Sequence, residues 1–571
     1  MLAGLMVCSI LPAATPSTEI PPTSNIKVDQ AGYEKGSRKL AFLVMPGGAF
    51  KGKYSIRKAA DSKIFFEGSW TAPAFDADSG DQVQTADFST LDASGEYYID
   101  VPSLGRSWTF KIAPDVYSRA YYLSARSFYG QRCRTGVDLG AEFPGLRHAV
   151  CHTAGAYDPS SGKAGPHASE KGWHDAGDYG RYIVNSGIAT ATLLWAVELW
   201  GTGSMRTVSL HIPESGNVSP DLLNEARWNI DWMLTMQDAD GGVWHKQTSA
   251  HFCDFIAADK DELPSLVIGA GKEPFKTSCA TADFAAVTAI AARVLAPYDR
   301  AYSDRCLLAA RKAWQWLESH EEVTFHNPPG IATGEYGDEH CADEKLWAAS
   351  ELARTTKEAG FDDYFGQHYS EFLDRISADE PPAWSNMAPF AMWTYALGKG
   401  SNQPAVEAIQ GRSIEAANTL AARAETQPYR TTMIRKNYIW GSNGVAANYA
   451  LQLLIANRPH PDLRYVAAAA ENVHYLLGRN PFSLCYVTAL GSHAVQHIHH
   501  RPSVADKRAW PGLLSGGPNA GRQDPEMKKL VPAGTPPARA FLDIEGSYAS
   551  NEVAINWNAP LVFALAGLLP Q

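Results

Sequence analysis

Cysteine is scarce and scattered in this 571-residue chain: Cys8, Cys133, Cys151, Cys253, Cys279, Cys306, Cys341 and Cys485 follow no regular spacing. That is too sparse for a small disulfide scaffold. No uninterrupted apolar run reaches the roughly 18–20 residues of a membrane span, so none is expected. Positive charge is in deficit, with 50 Lys and Arg against 61 Asp and Glu and a net charge of −11. This argues against nucleic acid or an anionic polysaccharide as partner and leaves a neutral or cationic polymer open. No short repeat of solenoid type is visible.

What is present divides the chain, which is too long for one typical domain. Met1 to Thr15 is apolar and ends in Leu11-Pro-Ala-Ala14-Thr15. It resembles a signal peptide without a basic n-region, the alternative being an ordinary frayed terminus. Pro12 to Asn25 is rich in Pro, Ser and Thr and reads as a disordered lead-in. Residues 1–25 are therefore expected to be a signal-like segment and lead-in, on a secreted or periplasmic protein that acts as a monomer.

Residues 26–114 hold short β-branched and aromatic runs punctuated by Gly, Asp, Ser and Pro: Leu40–Met45, Tyr54–Ile56, Ile64–Phe66, Val83–Thr85, Tyr97–Val101 and Trp108–Ile112. They predict an immunoglobulin-like β-sandwich, here without the cysteine pair of antibody domains. From 115 to 571 the periodicity becomes helical. About a dozen segments, from Tyr117–Tyr129 to Val553–Leu568, repeat apolar residues three and four apart. Two irregular stretches, Gln237–Ala280 and Asn480–Glu552, exceed ordinary connections and are expected to build a cleft.

The chemistry concentrates in three places. Near the C-terminus runs Phe541-Leu-Asp543-Ile-Glu-Gly-Ser-Tyr548-Ala-Ser-Asn551-Glu552-Val-Ala-Ile-Asn556-Trp557-Asn558-Ala559, a glutamate boxed in by aromatics and amides. Far upstream runs Gly172-Trp173-His174-Asp175-Ala-Gly177-Asp178-Tyr179-Gly180, two aspartates three residues apart among glycines expected to bend the loop. An acid on one side and a carboxylate base on the other are what cleaving a glycosidic bond requires. The third segment is Val487-Thr-Ala-Leu-Gly491 followed by Ile498-His499-His500-Arg501. Without further context, Glu552 reads as a carboxylate in a first helical turn, Asp175 and Asp178 as helix caps, and the histidines as a solvated or metal-binding loop.

Together the three segments resemble glycoside hydrolase family 9, largely cellulases. The third departs from the family pattern at Cys485 and His493 but keeps its His-x-Arg end. The opening Lys27-Val-Asp29-Gln30-Ala-Gly32-Tyr33 is similar to the N-terminal sandwich of many such enzymes. The resemblance implies a multi-domain protein, an immunoglobulin-like β-sandwich followed by an all-α (α/α)6 barrel. It implies Glu552 as general acid, Asp178 as general base with Asp175 as helper, inversion at the anomeric carbon, and His499, Arg501 and Tyr548 as substrate-binding. The expected activity is that of an endo-β-1,4-glucanase, with a β-1,4-glucan as partner. The alternative is an exo-acting hydrolase of the same family: a cellobiohydrolase, a β-glucosidase or an exo-glucosaminidase. A non-catalytic glycan-binding protein and a polysaccharide lyase are disfavoured, the first by the full set of carboxylates, the second by the acidic balance. Trp173, Trp244, Trp384 and Trp557 are further candidates for stacking on sugar faces.

Two metal sites follow from the same resemblance. Cys133, Cys151, His152 and His174 resemble the structural zinc ligands of some sandwich-bearing family members, a closed set of two thiolates and two imidazoles. The alternative is a buried cysteine pair with unrelated histidines. Asp343 and Glu344, just before Trp347, resemble an Asp–Glu pair used for calcium, the alternative being an acidic first helical turn that needs no ion.

Overall fold

The computed structural model describes residues 21–45, 48–201 and 203–570. The signal-like segment and Cys8 lie outside them. The end of the lead-in is held down: Thr23 N–H donates to the Arg106 carbonyl at 2.8 Å, so residues 21–25 depart from the expected disorder.

Ten strands make the sandwich: β1 (Ile26–Lys27), β2 (Tyr33–Glu34), β3 (Leu40–Val44), β4 (Lys53–Lys58), β5 (Ile64–Ser69), β6 (Ala74–Phe75), β7 (Gln82–Asp87), β8 (Gly95–Val101), β9 (Gly105–Arg106) and β10 (Phe110–Ala113). One sheet runs β1-β3-β7-β6 and the other β2-β10-β8-β4-β5, with β9 on β8. Strand β3 explains why its sequence, Leu40-Ala-Phe42-Leu-Val44, does not alternate. Side chains alternate between sheet faces. Ala41 and Leu43 enter the sandwich core, while Leu40 and Phe42 pack with Val83 and barrel residue Tyr429. Both faces are covered, so both are apolar.

The sandwich is bolted to the barrel and to the long Asn480–Glu552 stretch. Asp29 meets His474 at 2.7 Å. The Gln30 amide donates to the Ser483 and His493 carbonyls and accepts from the Ser492 and His493 N–H groups. Trp108 stacks on His493 at 4.8 Å. Asp81 accepts from Tyr429 and Arg539, both at 2.6 Å. Removing residues 1–114 would orphan these buried groups. The truncated protein is therefore expected to aggregate, or to lose activity on soluble substrate as well as insoluble. A soluble, fully active truncation that lost only cellulose binding would make the sandwich a tethered module instead; solubility and activity assays on the truncation distinguish the two.

After Pro114 come the helices α1 (Ser118–Gly130), α2 (Ile183–Trp200), α3 (Asp221–Thr235), α4 (Ser278–Leu295), α5 (Arg300–Ser319), α6 (Ala342–Thr356), α7 (Ala359–His368), α8 (Ala388–Leu397), α9 (Gln403–Thr426), α10 (Ser442–Ala456) and α11 (Leu463–Leu476), the short α12 (Arg501–Ala505), α13 (Pro525–Leu530) and α14 (Tyr548–Asn551), and finally α15 (Ile555–Leu568). Leaving out the three short ones, they form two rings. Inside, α2 packs on α4, α4 on α6 and α6 on α8, while α10 packs on α15 and α15 back on α2; α9 touches both α8 and α10. Outside lie α1, α3, α5, α7, α9 and α11. This is the (α/α)6 barrel. The inner helices are buried on nearly every side because they face both the barrel axis and the outer ring. By length and composition α2 and α4 are apolar enough to cross a membrane, although neither is an uninterrupted apolar run; here they are core helices, 89% and 94% buried.

Two features have no counterpart in the helical reading. A small sheet of β13 (Gly155–Tyr157), β16 (Ser265–Ile268), β15 (Lys246–Thr248) and β14 (Arg181–Tyr182) forms among the barrel loops, with β11 (Val137–Asp138) and β12 (Arg147–His148) paired nearby. Cys279 and Cys341, 62 residues apart, form a disulfide joining the start of α4 to the residue before α6.

Candidate active site

Three loops meet backbone to backbone over the barrel. Arg501 N–H donates to the Gly177 carbonyl at 3.1 Å, His499 N–H to Asn551 at 2.9 Å, Ile555 N–H to Asp175 at 2.9 Å and Gly516 N–H to Glu552 at 2.7 Å. The glycines of the first loop act by allowing this approach. The loop bends across 176–179 as expected, with Asp175 N–H donating to the Gly180 carbonyl at 2.9 Å, although Gly177 and Gly180 do not take left-handed backbone angles. A Cβ on Gly177 would lie 2.1 Å from the His499 carbonyl oxygen, and one on Gly180 2.7 Å from Asp178 Oδ2. Small size is what the site needs there.

Asp178 Oδ2 accepts the Gly180 N–H and the Tyr182 hydroxyl, each at 3.0 Å. Asp175 accepts from Asn185 Nδ2 at 2.6 Å and from the Tyr336 hydroxyl at 2.7 Å. Neither aspartate caps α2. Burial, and then the charge of Asp178, push the Asp175 carboxyl up to about 8. Glu552 lies before α15 in extended backbone, bridged to His499, and outside that helix's first turn. Its carboxyl is raised well above the usual range by burial first and then by Asp178 and Asp175, while Arg501 pulls it down.

All three carboxyls line one cleft of about 850 Å³, with Tyr182, Phe252, Tyr336, Trp384, Trp440, His499, Arg501, Tyr548 and Trp557 also on its walls. Of the expected tryptophans, Trp384 and Trp557 reach it. Trp173 is buried beneath the aspartate loop, its indole donating to Glu225, and Trp244 is buried with its indole donating to Ser161. Trp440, Tyr182, Tyr336 and Phe252 carry no motif and were missed; Tyr336 comes from the loop between α5 and α6, which showed no sequence signal.

His499 Nδ1 lies 2.7 Å from the Glu545 carbonyl, which can only accept, so the proton sits on Nδ1. Burial lowers its basicity. Arg501 has less freedom than expected of a sugar donor. Its Nε and Nη1 donate to the Cys253 and Gly177 carbonyls, and Phe252 and Phe255 flank its guanidinium at 5.3 and 5.4 Å. His500 is turned inward onto Gln131 and Ser503, which removes the metal-tract reading. Two other residues of the C-terminal motif are clamps. Asp543 accepts the Gln496 and His497 N–H groups and Asn551 Nδ2, tying the acid loop to the histidine loop. Asn558 ties α15 to α1 and to the Gly512–Leu514 turn.

Behind the aspartate loop, the ligand atoms of Cys133, Cys151, His152 and His174 lie within 4.8 Å of one another. The Cys133 Sγ–His152 Nδ1 and Cys151 Sγ–His174 Nε2 separations are both 3.7 Å. A tetrahedral ion with sulfur at ~2.3 Å and nitrogen at ~2.0 Å spaces such atoms by about 3.5 Å. The free nitrogen of His152 meets Asp261 at 3.2 Å, the outer carboxylate usual for a ligating imidazole. The cluster could hold a metal.

The acidic pair behaves differently from an exposed helical turn. Asp343 caps α8, accepting the Met387 and Ala388 N–H groups at 2.7 and 3.2 Å. Glu344 and Asp283 are buried with no partner on either carboxylate oxygen, and Asp338 Oδ2 has none. Burial and mutual repulsion raise all three, Glu344 and Asp283 strongly. Such a group wants a cation.

Comparison with known proteins agrees with this geometry. Residues 117–565 match glycosyl hydrolase family 9, and residues 21–106 match the cellulase N-terminal ig-like domain. The chain is 35% identical to endoglucanase D of Acetivibrio thermocellus over 96% of its length and 83% of the relative's. It is 36% identical to the xyloglucan-specific endo-beta-1,4-glucanase BoGH9A of Bacteroides ovatus, over 100% and 97% of the two chains. A crystal structure of a Zn-binding triple mutant of family 9 endoglucanase J30 is similar with a TM-score of 0.87 at 31% identity, over 94% of this chain and 99% of that one.

Proposed function

The chain belongs to glycoside hydrolase family 9, and from that premise we propose that it hydrolyses internal bonds of β-1,4-glucans with inversion. The observation that carries the reading is the trio of carboxyls on one cleft, with Glu552 held protonated and the two aspartates braced by Tyr182, Tyr336 and Asn185. Glu552 gives its proton to the glycosidic oxygen as the C1–O bond breaks. Asp178, whose Oδ2 is already engaged, uses Oδ1 to take a proton from the water whose oxygen bonds to C1 from the opposite face. Asp175, neutral below about pH 8, helps hold that water. His499 offers an unprotonated Nε2 to a sugar hydroxyl, and Tyr548 with the cleft tryptophans covers pyranose faces. Soluble cellulose derivatives, mixed-linkage glucan and xyloglucan are the test substrates. Endo action drops viscosity while few reducing ends appear. A single small product from the start means exo action, the alternative reading.

The Cys133, Cys151, His152 and His174 cluster would hold zinc structurally. Four protein ligands leave no open position for chemistry. One zinc per chain is expected to copurify and resist dialysis. Cys151→Ser should lower the melting temperature more than it lowers activity measured well below melting, because a closed site contributes folding energy. Zinc-free protein, or a Cys133–Cys151 disulfide, would count against the site. Asp283, Asp338, Asp343 and Glu344 would hold calcium; in the same metal analysis, calcium should be lost from Glu344→Gln. A polymeric glucan cannot enter a cell, so this activity also asks for export.

A further inference from the structure

Lys246 has no motif and does not reach the cleft, yet it is a fully buried lysine one strand away from the catalytic loop. Its Nζ donates to Asn327 Oδ1 and the Gly334 carbonyl, both at 2.6 Å, and to the Thr333 hydroxyl at 3.2 Å. All three partners belong to the loop between α5 and α6. Residues 320–341 of that loop contain neither helix nor strand. Two backbone bonds, Ala332 N–H to the Ala250 carbonyl at 2.7 Å and Ser278 N–H to the Val323 carbonyl at 2.9 Å, tie it down, and side-chain bonds supply further fastening. The same strand and the residue before it supply other fastenings: His245 Nε2 lies 3.0 Å from the Glu335 carbonyl and stacks on Phe325, and Thr248 meets Thr333 at 2.8 Å. The loop's next residue, Tyr336, has a left-handed φ of 48° and places its hydroxyl on Asp175.

We propose that Lys246 is a positioning residue for hydrolysis, an ammonium pin that seats the 327–334 segment so that Tyr336 holds Asp175 beside the catalytic water. This rests on the assignment of Asp175 and Asp178 made above. A lysine is suited to the task because one ammonium, with three N–H donors, serves acceptors on three residues converging from different directions, the Thr333 carbonyl at 3.3 Å among them. An apolar residue of equal length would be easier to bury, since an isolated buried charge is costly. The charged groups facing Nζ are Asp178 from the aspartate loop and Glu335 from the pinned loop, both favouring the proton, with His245 and the Tyr182 ring alongside. Burial outweighs them and brings the ammonium down to about 7. Carbonyl and amide oxygens cannot donate, so a deprotonated amine would satisfy fewer of them. The pin therefore weakens as pH rises through that value.

The test is a double-mutant cycle on kcat and KM across pH, with Lys246→Met, Tyr336→Phe and the pair. Lys246→Met should lower kcat by about 10–100-fold, the scale of a misplaced catalytic contact, with a smaller change in KM. Tyr336→Phe should do likewise, and the pair should be little worse than either, because both break one linkage. Lys246→Arg, which keeps its charge, should restore part of kcat and move the alkaline limb upward. Asn327→Ala, at a partly exposed site that does not threaten folding, should give the same signature more weakly. Additive losses, or a Lys246→Met or Asn327→Ala enzyme with wild-type kcat and pH profile, overturn the proposal. If Asp178→Ala remains active, the assignment of the base falls instead; an inactive Asp178→Ala beside an unaffected Lys246→Met refutes the pin alone.

Discussion

Glu552→Gln is expected to abolish hydrolysis of unactivated glucan while leaving the fold and oligosaccharide binding intact. The amide keeps the shape and cannot give a proton, and general acid help is worth roughly 10²–10⁴-fold or more. The loss should depend on the leaving group. An aryl cellobioside whose phenol departs without protonation should be cleaved far closer to the wild-type rate than cellulose is. A stability change should accompany it. The folded state raises the Glu552 carboxyl well above its unfolded value of about 4.3, so the folded protein binds more protons in the window between the two. Stability conferred by that protonated carboxyl is complete below the unfolded value and is lost as pH rises toward the folded one. Gln has no such loss. Wild type and variant should melt alike near pH 4, with the variant melting higher toward neutrality. Near-normal activity on unactivated glucan, or equal losses on both substrates, would remove Glu552 from the acid role.

The carboxyls of the site were legible because their surroundings are local. Tyr548, Asn551 and Asn558 stand within a turn or two of Glu552, and the glycines around Asp178 sit beside it in sequence. The resemblance also brought in Asp543 and Asn558 without their tasks, which are to clamp backbones that lie far apart in sequence. What stayed hidden comes from distant segments. Tyr336 is 161 residues from Asp175, with no motif to mark it. The Asp283 and Asp338 carboxyls join Glu344 only once α4 has packed on α6. The same packing brings Cys279 to Cys341, a pairing no spacing rule suggests.

Secondary structure divides along the same line. Helices of 10 to 24 residues repeat often enough to be read, although ring closure came from the resemblance. Strands β13 to β16 are two to four residues long, too short for alternation to show, and exist because barrel loops cross one another. In the sandwich the longer strands β3, β4, β5, β7, β8 and β10 were legible, while the two-residue β1, β2, β6 and β9 were not. The docking face was written in β3, whose unbroken apolar run is the mark of burial on both sides.

Asp178→Ala should be as damaging as loss of the acid, for a different reason. Without it no group takes the proton from the attacking water. Asp175 is a poor substitute, because burial above all raises its carboxyl and keeps it neutral, so it can orient a water but does not take its proton. Asp175→Ala should accordingly be the milder of the two, acting through water placement. A small anion that needs no deprotonation can replace the missing step. Azide should accelerate Asp178→Ala on an activated aryl cellobioside and give the α-azide, since it enters from the face that water uses. It should do nothing for Glu552→Gln on cellulose, where the leaving group still lacks its proton. In the wild-type enzyme the same geometry requires the α-anomer as first product, visible by NMR before mutarotation. A β-anomer seen first, or a β-azide, would mean that a carboxylate attacks the sugar directly. An Asp178→Ala enzyme that keeps wild-type rates on cellulose would move the base elsewhere in the cleft.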